Sequence, residues 1–362
     1  MRPQRTLKTE LTTHERMRRT FERRDVDRVV IEDYPWNGTL RKWRKQGVPA
    51  NTDWRDWFGV DKLENIFLDI SPRYKREILE ETDRYIIRHD EYGVTMKDFK
   101  DEDSTPEFLD FDIKNSELWK GARARMTFDK SRVDLEGIKR NTEAWRAEGR
   151  WIRFHFWFGF DITHARFVGT ETLLVAMMEE PEWVTDIFGT MLDLNIQLFD
   201  YLWDNGVRAD SMLWADDMGY KNTQFFSTQK YLEILKPFHK RAVEWTHNKG
   251  LRAQLHSCGD IRPFIPHLIE IGVDSLNPIE VKAGMDPLVI KKAYGDKLVM
   301  HGGFNALLYN EYEKMLAEIE RLLPKLMSGG GYIFASDHSI PNVVTADMFR
   351  AVVEKVKQIS SR

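Results

Sequence analysis

The sequence predicts an α/β protein, a single (β/α)8 TIM barrel with an insertion after its second strand–helix unit. Three observations predict it. Eight strand-like runs recur along 362 residues, and helical stretches separate most of them. Several runs are continuously apolar rather than alternating, as parallel strands covered on both faces are. The residues at their C-terminal ends are rich in functional side chains, and that is where the active site of such a barrel lies. The alternative arrangement of the same elements is an open doubly wound sheet.

The expected strands are residues 27–33, 65–70, 151–157, 211–217, 252–258, 273–278, 297–302 and 331–337. Ser71-Pro72 is expected to open the helix after the second strand, with proline at the first helical position. The polar, acidic segment from about residue 91 to 124 is the expected insertion, a hairpin or a lid. Thr228 is expected to cap a helix over residues 229–249 that ends at Gly250. A helix is expected over residues 261–271, after the fifth strand. Asp286-Pro287 opens a short helix to Tyr294, closed by Gly295, and Thr345 caps the last helix, which runs towards Ile359. No internal repeat or low-complexity tract interrupts the pattern, so one domain over residues 1–362 is expected.

Composition narrows the class. A hydrophobic content of 42% supports a substantial core. The net charge of -4 points to neither nucleic acid nor an anionic membrane as partner. One cysteine excludes an internal disulfide framework and suits a reducing, cytoplasmic setting. Residues 1–10 lack the apolar centre of a secretion signal, and no apolar run approaches the roughly 20 residues of a membrane span. Twelve tryptophans suit either a cavity wall or core filling.

The stretch Leu255-His256-Ser257-Cys258-Gly259-Asp260 holds that cysteine where a strand gives way to a loop. At i, i+2 spacing on an extended backbone, His256 and Cys258 point to the same side, so both can reach one metal ion. The other expected strand ends present Glu32 and Asp33, Asp69, His155, Asp216 and Asp217, Asn277 and Glu280, His301, and Asp337 and His338. Asp216 and Asp217 point to opposite sides of an extended chain, so one faces the cavity and the other braces the loop; Asp216 is taken as the acid. His155, with Trp157 in the aromatic run that follows it, is expected to form a substrate wall, and Tyr220 and Lys221 the rim. His239, His247 and His267 fall in helices and are read as surface or packing residues.

The second half of the chain resembles a known family. His256-Ser257-Cys258-Gly259-Asp260-Ile261-Arg262-Pro263 is followed by Asn277-Pro278-Ile279-Glu280, Gly284-Met285-Asp286-Pro287, His301-Gly302-Gly303 and Gly330-Gly331-Tyr332-Ile333. This order and spacing resembles the uroporphyrinogen decarboxylase superfamily, specifically over residues 212–359 and more weakly over 13–69 and 151–182. The resemblance implies one barrel with a deep cleft. Two branches are implied, the heme-pathway decarboxylases and the zinc-containing, corrinoid-dependent methyltransferases. The decarboxylases carry an arginine-rich motif after the first strand, where this chain has Glu32-Asp33-Tyr34-Pro35-Trp36. Acids in that place would repel substrate carboxylates. Asp69 roughly matches the position of the family's central aspartate, which implies a contact to another substrate or else a cap on the following helix; Asp33 and His301, at strand ends, are expected substrate contacts.

The methyltransferase branch binds zinc through His-x-Cys after the fifth strand and a cysteine after the eighth. His256 and Cys258 match the first two ligands, and His338 stands where that branch has its cysteine. The resemblance therefore implies a His256, Cys258, His338 zinc site, with Asp337 orienting His338 or replacing it. Glu280 is implied as a displaceable ligand or a base. The implied partners are a corrinoid protein, with the corrinoid carried on that separate chain, and a small methylated substrate or thiol acceptor. The expected activity is zinc-dependent methyl transfer. The alternatives are a decarboxylase-like lyase and a non-catalytic protein that binds a corrinoid or methylated ligand.

Overall fold

The computed structural model describes residues 10–100 and 105–361. Residues 1–9, on which the absence of a secretion signal was mainly read, lie outside the described residues, as do residues 101–104 of the insertion. The strands in chain order are β1 (Val30–Ile31), β2 (Leu63–Ile66), β3 (Glu77–Glu81), β4 (Tyr85–His89), β5 (Val94–Phe99), β6 (Glu107–Phe111), β7 (Trp151–Trp157), β8 (Ser211–Ala215), β9 (Gly219–Tyr220), β10 (Thr223–Gln224), β11 (Arg252–His256), β12 (Ser275–Asn277), β13 (Val299–His301) and β14 (Tyr332–Phe334). Eight of them form one curled parallel sheet in the order β1-β14-β13-β12-β11-β8-β7-β2. Each overlaps one of the eight expected runs, β2 by its last two residues, and the order is that of a TIM barrel.

No ladder joins β1 to β2 among the described residues. Asp61 fills that seam: its N–H donates to Ile31 O at 3.0 Å, and its Oδ2 accepts from Ile31 N at 2.8 Å. Arg28 and Arg16 close on the same carboxylate, Arg28 Nη1 at 2.7 Å, and Arg16 is itself fully buried on the first helix, Thr13–Phe21.

Strand parity decides which residues face the helices and which the barrel interior. On β7, Phe154 and Phe156 are fully buried and pack on Phe199 and Trp245, with ring centroids 4.7 and 4.9 Å apart respectively. Phe199 lies on the long helix Pro181–Asp204, whose buried stripe includes Ile187, Met191, Leu194 and Leu198. Arg153 and His155, one register over, line the interior, as do Leu213 and Ala215 of β8 and Gln254 and His256 of β11. Most buried tryptophans, among them Trp43, Trp119 and Trp214, are core; Trp36 and Trp157 reach cavities.

No helix begins at Ser71-Pro72. Asp69 Oδ1 accepts from both the N–H and the hydroxyl of Ser71, at 2.9 and 2.6 Å, and Arg73 adopts a left-handed φ of 57°. This turn throws the chain outward into the antiparallel sheet β3-β4-β5-β6. Proline's fixed φ suits such a turn as well as it suits a helix start. The extra layer therefore begins at Glu77 rather than near residue 91. It packs on the barrel through Tyr92, edge-on to Trp157 at 5.8 Å, and Asp90, 3.3 Å from Arg166.

The remaining helices stand close to expectation. Ser227, not Thr228, caps the segment that continues through a π-turn into Lys236–Asn248. Ile265–Glu270 follows β11, Asp286 caps Pro287–Tyr294, and Thr345 caps Ala346–Ser360. No helix among the described residues is long and apolar enough to cross a membrane.

Candidate metal centre

Three donor side chains converge where β8 and β11 end. Ligand atoms of Asp217, His256 and Cys258 all lie within 4.8 Å of one another. His256 Nε2 is 3.5 Å from Cys258 Sγ and 3.7 Å from Asp217 Oδ1. Tetrahedral zinc, with bonds of about 2.3 Å to sulfur and about 2.1 Å to nitrogen, sets its sulfur and nitrogen ligands roughly 3.5 Å apart. The His256–Cys258 pair therefore already has the spacing of a zinc site. His256 Nδ1 donates to Asn277 Oδ1 at 2.6 Å, which turns the lone pair of Nε2 towards the other two donors. Nitrogen, thiol sulfur and carboxylate oxygen form a donor set that zinc accepts, and three protein ligands leave a fourth position open.

The loops that carry these donors are locked by backbone contacts. Cys258 N–H donates to Asp217 Oδ1 at 2.7 Å, and Gly259 N–H donates to Glu280 Oε2 at 2.5 Å. Gly259, at φ 82°, crosses Gly219 so closely that a Cβ on it would lie 2.2 Å from the Gly219 carbonyl carbon. Both glycines are required for the metal loop to touch the β9–β10 hairpin.

The expected site residues divide in the structure. His338 lines the same mouth cavity as His256, Cys258 and Asp217 but lies outside the converging group, its ring 5.7 Å from that of Trp36. Asp337 is fully buried and turned to the backbone, accepting from Ala306 N at 2.8 Å and Lys282 N at 3.3 Å, so it holds the loop and does not orient His338. Glu280 is buried behind the metal loop, with Lys282 Nζ 3.4 Å from its other oxygen. Asp216, expected to face the cavity, is fully buried; it bonds His239 Nε2 at 2.8 Å and the N–H of Asp161 at 2.7 Å. It shares the parity of Met212 and Trp214, which face the helices, whereas Asp217 shares that of Leu213 and Ala215. His239, read as a surface or packing residue, is wholly buried as its partner.

Asp69 does not reach the cavity; besides Ser71 it binds Arg73 Nε at 2.8 Å. Trp157 lines a separate cavity of about 540 Å³ under the insertion sheet, and its Nε1 donates to Asp161. Tyr220 is exposed on the β9–β10 hairpin. Asp33 and His301 line the mouth cavity. His155 lines an inner cavity, its ring centroid 4.3 Å from that of Phe67 and tilted by 37°.

The mouth cavity, about 250 Å³, and the inner cavity, about 300 Å³, meet at Tyr34, His256, Asn277 and His301. Burial dominates the electrostatics of both. It pushes Asp33 up to about 6, with Asp337 nearby adding to the effect. It pushes His155 down to about 3, Arg153 adding to the effect, and lowers His301 as well. Burial and the carboxylates of Asp217 and Glu280 drive the Cys258 thiol well above its usual value, an effect that a bound cation reverses. Glu32 is buried too, but Arg153 Nη2 at 2.7 Å keeps its carboxyl below the usual range. The Tyr34 hydroxyl sits between them, donating to Glu32 at 2.5 Å and accepting from Arg153 at 2.6 Å.

Among solved structures the chain is similar to a methyltransferase from Methanosarcina mazei, with a TM-score of 0.64 and 13% identity over 96% of this chain and 99% of that one. At that identity the likeness establishes the fold. A putative vitamin-B12 independent methionine synthase from Listeria monocytogenes gives a TM-score of only 0.36, with 12% identity over 62% of this chain and 67% of that one. Among curated proteins no match to the sequence is found. Residues 163–359, more than half of the chain and the part that carries the Asp217, His256 and Cys258 loops, match the uroporphyrinogen decarboxylase family. This protein belongs to the uroporphyrinogen decarboxylase (URO-D) family.

Proposed function

We propose that the protein is a zinc-dependent methyltransferase that moves a methyl group between a small molecule and a corrinoid carried on a separate protein. The convergence of Asp217, His256 and Cys258 at the barrel mouth carries this reading. Zinc held there would supply Lewis acidity, either to keep a thiol ionised as methyl acceptor or to polarise the heteroatom of a methyl donor. His256 is aimed by Asn277, and the loop of Cys258 is held by Asp217 and Glu280. His338, kept neutral by burial and by Lys282, presents an imidazole to the mouth that can accept a proton from an arriving thiol. It can also serve as a further donor to the metal. The corrinoid protein docks over the mouth, beside exposed Tyr220.

A decarboxylase acting on a polycarboxylate is disfavoured. Arg153, the one arginine on the inner cavity among the described residues, is already neutralised by Glu32. The deciding experiment measures zinc by plasma mass spectrometry and methyl transfer with methylcobalamin, to and from thiols and methylated small molecules, on the same preparation. About one zinc per chain with turnover is expected; a zinc-free protein, or a zinc-loaded one inert in both directions, removes the proposal.

A further inference from the structure

The inner cavity presents no unpaired permanent charge among the described residues. Its permanently charged side chain, Arg153, has Glu32 Oε1 2.7 Å from Nη2; the same Nη2 donates to Tyr34 Oη at 2.6 Å and Nε to Asn65 Oδ1 at 2.7 Å. His155 and His301 are held neutral by burial. A carboxylate, sulfonate or ammonium entering here would lose its hydration with no free counter-ion, a penalty of several kcal/mol.

Three side-chain amides on its wall, Asn65, Gln254 and Asn277, offer a ligand the same kind of group. Asn65 Oδ1 is taken by Arg153. Gln254 Oε1 accepts from the Ser211 hydroxyl at 3.1 Å, a direction fixed because Ser211 itself accepts from Trp151 Nε1 at 2.8 Å. Asn277 Oδ1 is taken by His256. Each amide thus has its carbonyl engaged, and its NH₂ is what remains for the cavity. The rest of the wall is Leu213, Ala215, Ser275, the Tyr34 ring and the imidazoles of His155, His256 and His301. About 300 Å³ is the small end of ligand sites.

We infer that this cavity binds the body of an uncharged small molecule through an oxygen acceptor, and that the Glu32–Arg153 pair sets its charge selectivity. This assignment rests on the methyl-transfer reading for its place in a reaction: the molecule would lie directly behind His256, with its methyl-bearing or sulfur-bearing end towards the metal ligands. An anionic thiol or a methylated ammonium compound is then not what the inner cavity takes.

The test is calorimetric titration of the whole protein, after chelation of metal, with four probes of one shape: p-cresol, toluene, p-toluate and p-methylbenzylammonium. p-Cresol is expected to bind at least tenfold more tightly than each of the other three. Leu213→Trp should abolish its binding. Gln254→Leu should weaken p-cresol without changing toluene. Glu32→Gln leaves Arg153 unpaired and should raise affinity for p-toluate at least tenfold. If Glu32→Gln does not fold, the ranking of the four probes by the unaltered protein decides. Binding of p-toluate or the ammonium probe as tight as that of p-cresol overturns the inference, as does p-cresol binding undiminished in Leu213→Trp, or binding of no probe. The metal is absent from this titration, so its failure leaves zinc binding and methyl transfer standing. Loss of those activities alone would leave the cavity assignment intact.

Discussion

Asn277 Oδ1 lies 2.6 Å from His256 Nδ1, reaching across the β11–β12 ladder in which the two residues are direct partners. Pairing in the sheet therefore orients a metal ligand. Asn277→Ala frees the ring to rotate and to take the other tautomer. Zinc affinity, measured by competition with a chromophoric chelator, is expected to fall roughly 10–100-fold while circular dichroism stays unchanged. An unaltered affinity would show that the ring is held by something else.

Removing a donor should act more strongly than removing its support. Cys258→Ser and Asp217→Asn are each expected to abolish stoichiometric zinc. His338→Ala, which removes a group outside the converging three, should lower methyl transfer more than zinc content. Full metal loading in the double variant Cys258→Ser, His338→Ala would show that the site lies elsewhere.

Glu280 separates two roles in one residue. Its Oε2 holds the Gly259 N–H, and glutamine retains an oxygen able to accept that bond. Glu280→Gln is expected to keep zinc and lower the transfer rate, whereas Glu280→Ala should release the loop and lower zinc affinity too. Wild-type turnover by Glu280→Gln would leave this carboxylate a purely structural part.

Conversion of uroporphyrinogen to coproporphyrinogen is expected to be negligible. Asp33 is bound to Ser336 N and Oγ at 2.9 and 2.7 Å, and Glu32 neutralises Arg153, so several substrate carboxylates would meet no free cation. Product formation by the pure protein, followed by chromatography, is the check.

The seam at Asp61 gives a pH-dependent prediction remote from the metal. Burial raises the pKa of this carboxyl, but Arg28 and Arg16 outweigh burial and hold it below its ordinary 3.8. With the folded value depressed, its contribution to stability is fully present above about 3.8 and is lost as pH falls through the folded pKa. Asp61→Asn takes from Arg28 its buried partner and from Arg16 one of two, Asp27 remaining, and should destabilise the fold by about 3 kcal/mol at neutral pH. The gap to wild type in urea denaturation should shrink below pH about 4, while zinc per folded chain is unchanged. A pH-independent gap would show that the loss is one of packing.

The barrel strands were legible because their cores are apolar and their ends punctuated. The His256–Cys258 pair was legible because two donors two residues apart on a strand can only share a side. The choice between Asp216 and Asp217 was also within reach. In Ser211-Met212-Leu213-Trp214-Ala215 the even positions carry the bulk that packs on helices, which assigns Asp216 to the helix side, where His239 meets it, and Asp217 to the cavity. The helix misread after Ser71-Pro72 had no such signal. The segment Glu77-Ile78-Leu79-Glu80-Glu81 is made of helix formers and becomes a strand only by pairing with Tyr85–His89. Every residue of that strand is exposed, so no alternation marks it. The place of His338 depends on how the loop after β14 is tied to Ala306 and Lys282, contacts between segments far apart in sequence.

The ladder between β1 and β14 pairs Val30 with Ile333 and Ile31 with Phe334. As the ribosome makes this chain, the earliest barrel strand has no sheet partner until nearly all the others exist. The barrel can curl from β2 through β13 beforehand, but its circle is finished only when β14 emerges. A two-residue edge exposes little backbone in that interval. The brevity of β1, which leaves its other side to Asp61, thus also protects the nascent chain from pairing with its neighbours on the same messenger.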